Sequence, residues 1–148
     1  MAGEVHRPAV PVTRQSRDQD IQALVPRLVE LGVTRAGQGW LLGLSVRRVR
    51  RAAQGLSVGP LTQDQRTRVG LLERICHALE PWDDARAWLA CPNAADPFAG
   101  HSPIELAVLF GIPALVVIDQ VLTSAATTDT EGEIHELAGD PDAPPTDQ

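Results

Sequence analysis

Four arginines stand close together in one short stretch, Ser45-Val46-Arg47-Arg48-Val49-Arg50-Arg51-Ala52-Ala53. A guanidinium keeps its charge at any physiological pH, and its planar fork of N–H donors matches phosphate oxygens or the O6/N7 edge of guanine. At helical spacing, Val49, Ala52 and Ala53 turn inward while the arginines cover the remaining surface. Ser45 is suited to cap the helix and Gly55 to end it. The chemistry implied is charge-assisted binding of DNA. Its candidate residues are Ser45, Arg47, Arg48, Arg50 and Arg51, with Arg47, Arg48 and Arg51 directed at bases and phosphates and Arg50 at phosphate.

Such a helix needs a partner to hold it. Thr34 is a plausible N-cap for a preceding helix ending at Leu42, and Gly43-Leu44-Ser45 makes a short turn between the two. Helix, glycine turn and arginine-rich helix is the outline of a helix-turn-helix. Leu-Gly-Leu-Ser-Val-Arg-Arg-Val-Arg-Arg also looks like the turn and recognition helix of Xre-type bacterial regulators. One departure stands out: Gly37, Gln38 and Gly39 occupy places where a small residue and an aliphatic one would face inward, with Trp40 beside them. Two glycines cost an exposed helix roughly 1 kcal/mol each relative to alanine, so this helix is expected to be loosely held. Before it, Ile21, Leu24, Val25, Leu28 and Val29 recur at helical spacing from Asp20 to a stop at Gly32, with Pro26 as a kink or as the first turn of a shorter helix.

Charge is distributed unevenly. The net charge of −6 would argue against a polyanionic partner, but residues 126–148 hold seven acids and no base. Residues 1–125 hold 12 acids against 13 bases, and the segment 33–58 has five arginines and no acid. All basic residues are arginine, which a GC-rich coding sequence explains as readily as function does. Residues 1–17, with Pro8, Pro11 and no apolar periodicity, read as a disordered arm, and 126–148 as a disordered acidic tail.

The C-terminal half carries a second set of signals. Ser102, Pro103 and Glu105 form a capping box with proline at the first helical position, Gly111 supplies a stop, and Pro113 opens a further helix whose Leu115, Val116, Ile118, Val121 and Leu122 leave little polar surface. Upstream, Thr62 and Gln65 make another capping box for a helix of about 18 residues along Leu72, Ile75, Cys76 and Leu79. A short helix capped by Asp84 or Asp83 ends near Cys91.

Trp88-Leu89, Pro92-Asn93, Gly100, Ser102-Pro103, Glu105-Leu106, Gly111, Val117 and Leu122 fall in the order of one small domain. Over about 40 residues the chain resembles the toxin-binding domain of Xre/MbcA/ParS-like antitoxins. The resemblance implies a homodimer that binds its own operator and neutralises a RES-domain toxin acting on NAD. It places toxin contacts at Pro92, Asn93, Gly100, Ser102, Pro103, Glu105, Gly111 and Leu122. In that family a glycine-containing segment follows the last helix and reaches the toxin; Thr123-Ser124-Ala125-Ala126 replaces it here.

The expected architecture is therefore all-α: a helix-turn-helix region over 18–60, a linking helix over 61–80, a small toxin-binding domain over 81–125 and the acidic tail. Cys91, Asp96 and His101 form no activating arrangement, no phosphate loop or metal-ligand spacing is present, and neither enzyme activity nor a cofactor or metal is expected. Cys76 and Cys91 read as buried packing residues in a reducing cytoplasm, and His77 as structural. The most apolar run, 106–118, is too short to span a bilayer. Two other readings fit the same residues: a helix-turn-helix regulator without a toxin partner, and an adaptor that works through protein contacts alone.

Overall fold

The computed structural model describes residues 14–137, with side chains for 18–128; the expectations for 1–13 and 138–148 lie outside the described residues. Among the described residues every regular element is a helix, seven in all, in agreement with the all-α expectation. None is long and apolar enough to cross a membrane. The chain divides into two compact units, Met1–Glu73 and Arg74–Gln148, with the boundary inside one helix.

The first unit holds α1 (Arg14–Glu30), α2 (Arg35–Leu42), α3 (Val46–Ala53) and most of α4 (Gln63–Leu79). The apolar stripe read from the sequence is its core: Ile21, Leu24, Val25 and Leu28 of α1 are buried, together with Leu41, Leu42, Leu44, Val49 and Ala52. Removing each large aliphatic side chain from water contributes about 1.5–3 kcal/mol. That burial explains how α1 tolerates Pro26: the proline lies on the exposed side, and α1 continues past it to Glu30. It also begins at Arg14, ahead of the Asp20 start the sequence predicts.

The second unit contains the end of α4, then α5 (Ala85–Ala90), α6 (Pro103–Phe110) and α7 (Ile112–Leu137). With few aromatics available, three are gathered in one place. Trp88 lies edge-on to Trp82 at 5.4 Å and to Phe98 at 5.9 Å, and Phe98 is buried. Aliphatic packing of Leu89, Leu106, Leu115, Ile118 and Leu122 completes the core.

α7 departs from expectation. It passes Leu122 and runs through Thr123-Ser124 to Leu137, so residues 126–137 are helical where the sequence reads as tail. The hydroxyls on this stretch are accommodated within the helix: Thr123 donates to the Asp119 carbonyl at 2.8 Å, Thr127 to that of Thr123 at 3.1 Å and Thr128 to that of Ser124 at 3.0 Å. Hydroxyls satisfied by the preceding turn do not compete for backbone partners, and a polar run then remains compatible with helix.

Candidate functional site

The geometry of α2, its turn and α3 follows from local capping. Thr34 Oγ1 accepts from the Gly37 amide at 3.1 Å, and Ser45 Oγ accepts from the Arg48 amide at 3.3 Å, so both helices start where their caps predict. Gly43 ends α2 with φ of 68°, a left-handed conformation that a Cβ disfavours. Both the Gly43 and the Leu44 amide donate to the Gly39 carbonyl. The turn is held from outside as well: Gln65 Nε2 donates to the Gly43 carbonyl at 2.9 Å, and Arg68 Nη1 to that of Trp40 at 3.3 Å.

Of the three residues that look like a weakness, Gly39 is the one that lets α2 and the turn come so close. A Cβ at position 39 would sit 2.8 Å from the Leu44 carbonyl oxygen, so only glycine allows this approach. Gln38 is fully buried and satisfied: its Nε2 donates to the Val33 carbonyl at 3.0 Å, and its Oε1 accepts from Arg35 Nη1 at 3.0 Å. A buried amide with both ends paired fixes one arrangement, whereas an unpaired one would cost about 1–3 kcal/mol. The cost of an exposed helical glycine therefore does not apply to Gly39, which is buried against the turn.

The four arginines divide into two pairs. Arg48 donates from Nε to the Val58 carbonyl at 2.8 Å and from Nη2 to that of Pro60 at 3.0 Å, while Arg51 Nε donates to the Ser57 carbonyl at 2.9 Å. Asp18 grips the same connection, accepting from Ser57 Oγ at 2.7 Å and from the Val58 amide at 3.3 Å. Arg48 and Arg51 therefore brace the segment after α3. Arg47 and Arg50 are exposed and make no side-chain hydrogen bond or ion pair with any described residue. Trp40 and Val46 are exposed apolar side chains near this face, a feature the charge pattern did not single out.

In the second unit, the residues expected to touch a partner are mostly spent on the fold. Gly100 donates its amide to the Asn93 carbonyl at 2.8 Å, and the Asn93 amide donates to the His101 carbonyl at 3.1 Å, closing the loop that carries Phe98. Asn93 Oδ1 also accepts from the Ala95 amide at 3.0 Å, and Gly100 has φ of 86°. Pro92 is exposed at the start of that loop, next to Cys91, which is likewise exposed and not buried as expected.

The Ser102 capping box is complete: Ser102 Oγ accepts from the Glu105 amide at 3.1 Å, and Glu105 accepts from the Ser102 amide at 3.2 Å. Ser102 and Pro103 are buried, Gly111 caps the end of α6, and Leu122 is 2 % exposed. What α6 does present is Leu109 and Phe110, 62 % and 61 % exposed. Helical spacing puts Leu106 and Ala107 inward and Glu105 and Leu109 outward, so the exposure of Leu109 is legible in the sequence, whereas Phe110 follows Leu106 by four residues and its exposure at the helix end is not. A separate groove of about 580 Å³ is lined by Arg74, His77, Asp119, Leu122 and Thr123, with the Arg74–Asp119 ion pair at 2.9 Å.

The chain matches no known family model, no characterised protein and no solved structure.

Proposed function

We propose that the chain is an antitoxin of a type II toxin-antitoxin pair: its N-terminal unit binds operator DNA through a helix-turn-helix as a dimer, and its C-terminal unit neutralises a RES-type, NAD-consuming toxin. One observation carries the DNA-binding half. Two capped helices meet at a left-handed glycine turn, with Arg47 and Arg50 exposed on the second helix and unbonded to any described residue. Donors that bond no described residue suit phosphate or guanine. The toxin half is supported by the resemblance of the segment 88–122 to the toxin-binding domain, and by the apolar pair Leu109 and Phe110 left at the end of α6.

A second reading is a transcription regulator without a toxin partner, working in the cytoplasm through DNA alone. It is favoured by the fact that Asn93, Gly100, Ser102, Gly111 and Leu122 all serve the fold of the C-terminal unit. Co-expression separates the two. With a RES-type toxin encoded by the adjacent reading frame, the full chain restores growth under the antitoxin reading, and residues 1–60 do not. Growth restored by 1–60 alone overturns the assignment of the halves. Failure of the full chain to bind the DNA upstream of its own coding sequence overturns the helix-turn-helix.

A further inference from the structure

We infer that Val46 and Arg47 together read a two-base step, Arg47 taking the O6 and N7 of a guanine and Val46 resting on the 5-methyl group of an adjacent thymine. The inference rests on the helix-turn-helix reading above and adds which bases its second helix selects. Its starting point is the orientation of α3. Val49 and Ala52 are buried, and at 3.6 residues per turn the position diametrically opposite them is Arg47. Arg48 and Arg51 lie to one side of that ridge and are tethered to the connection after α3, Arg48 by two donors to the Val58 and Pro60 carbonyls and Arg51 by its Nε to that of Ser57. Val46 and Arg50, one turn apart, lie to the other side.

The exposed side chains of this face that carry no bond to a described residue are thus Val46, Arg47 and Arg50. Within it the three side chains offer different chemistry. Arg50 meets phosphate, which fixes register and carries no base information. Arg47 stands in the first turn of α3, where a side chain projects beyond the helix N-terminus into the major groove.

Val46 has no donor or acceptor on its side chain, yet it is 37 % exposed at the first position of the helix. The major-groove edge of thymine is the one base edge with an apolar group on it, and a valine methyl is its natural contact. Position is also secured. A Cβ at position 39 would lie 3.9 Å from Val46 Cγ2, so one methyl is seated beside Gly39 of α2, and a β-branched side chain has little rotamer freedom left. Absence of acids across 33–58 makes the surroundings of this pair attractive to a polyanion.

The test uses the full chain and a pool of duplexes randomised over the binding window. Enriched sequences are resynthesised with deoxyuridine replacing each thymine in turn, which removes the 5-methyl group and nothing else. At one thymine beside a guanine in each half-site, the replacement should weaken binding roughly fourfold, the effect of one buried methyl-sized group. Val46→Ala should bind the thymine duplex as weakly as the unaltered chain binds the deoxyuridine duplex, and should no longer distinguish the two. Arg47→Ala should lose roughly 10- to 100-fold and its preference for that guanine. Equal binding of the unaltered chain at every deoxyuridine, or a Val46→Ala chain still sensitive to it, overturns the inference and leaves DNA binding intact. A pool that yields no enriched sequence overturns the helix-turn-helix and this inference with it.

Discussion

In the N-terminal unit the arginines of α3 lie at or near the surface, Arg47 and Arg50 without a bond to any described residue; in the C-terminal unit the conspicuous Ser102, Pro103 and Leu122 are buried and Asn93 and Gly100 close a loop. The two sets of residues are conspicuous for different physical reasons. Arginines cluster where charge is to be displayed, because burying one without a partner is costly. Serine before proline, glycine at a helix end and asparagine in a tight loop mark places where the backbone must turn or stop. The first pattern points to a surface, the second to a fold. For the C-terminal unit the surface has to be sought elsewhere, and α6 offers it at Leu109 and Phe110.

This contrast breaks most visibly at Leu122, which the family resemblance places against a toxin and the structure places in a core, 2 % exposed. Leu122→Ala should destabilise the C-terminal unit by ~2–5 kcal/mol, the usual range for a buried leucine truncated to alanine. Denaturant titration measures it. Unchanged stability combined with lost toxin binding would move Leu122 from the core to the interface.

Next in size is Gly39→Ala. With the added Cβ at 2.8 Å from a backbone oxygen, the turn itself must shift, at a cost of about 1–3 kcal/mol. An ordinary exposed helical glycine would gain stability from the same change, so even the sign is diagnostic. A rise in melting temperature would show that the close approach of α2 to the turn is not as described.

The arginine pairs give a finer comparison. Arg48→Ala removes two bonds to the connection after α3 and should cost ~1 kcal/mol, reduced from the full value of charged hydrogen bonds by solvent exposure. Arg47→Ala should leave stability within about 0.5 kcal/mol and act on DNA binding alone. Equal melting temperatures for the two variants would erase the distinction between bracing and reading.

How much of this could be seen in the sequence depends on how local the cause is. Thr34, Ser45, Thr62 with Gln65 and Ser102 with Glu105 all make their expected capping bonds, because capping is decided within three residues. Asp84 precedes α5 but makes no side-chain cap bond. Gln38 was illegible, since its partners, the Val33 carbonyl and Arg35, become partners only once α2 is in place. The same is true of Arg48, which looks like any other member of an arginine run until the connection at Val58 and Pro60 folds back over it. The continuation of α7 past Leu122 is hidden for the opposite reason: the stretch is polar, and composition does not show the bonds that Thr123 and Thr127 make within the helix.

The smallest expected effect concerns pH and lies in the N-terminal unit. Glu73 has its pKa raised from the ordinary 4.5, first by burial, then by the nearby Asp20, with Arg27 opposing. A carboxyl whose pKa is higher in the folded chain than in the unfolded one binds its proton more tightly when folded. Its contribution is therefore fully present below the unfolded value and is lost as pH rises through the folded one. Glu73→Gln, which cannot ionise, should be no more stable than the unaltered chain in acid and more stable at neutral pH, by under ~1 kcal/mol after solvent screening. Melting curves across that range check it. Added salt sharpens the result: it screens Asp20 and Arg27 but leaves the burial penalty, so the difference at neutral pH should persist in high salt. Its disappearance would assign the shift to the neighbouring charges instead of to burial.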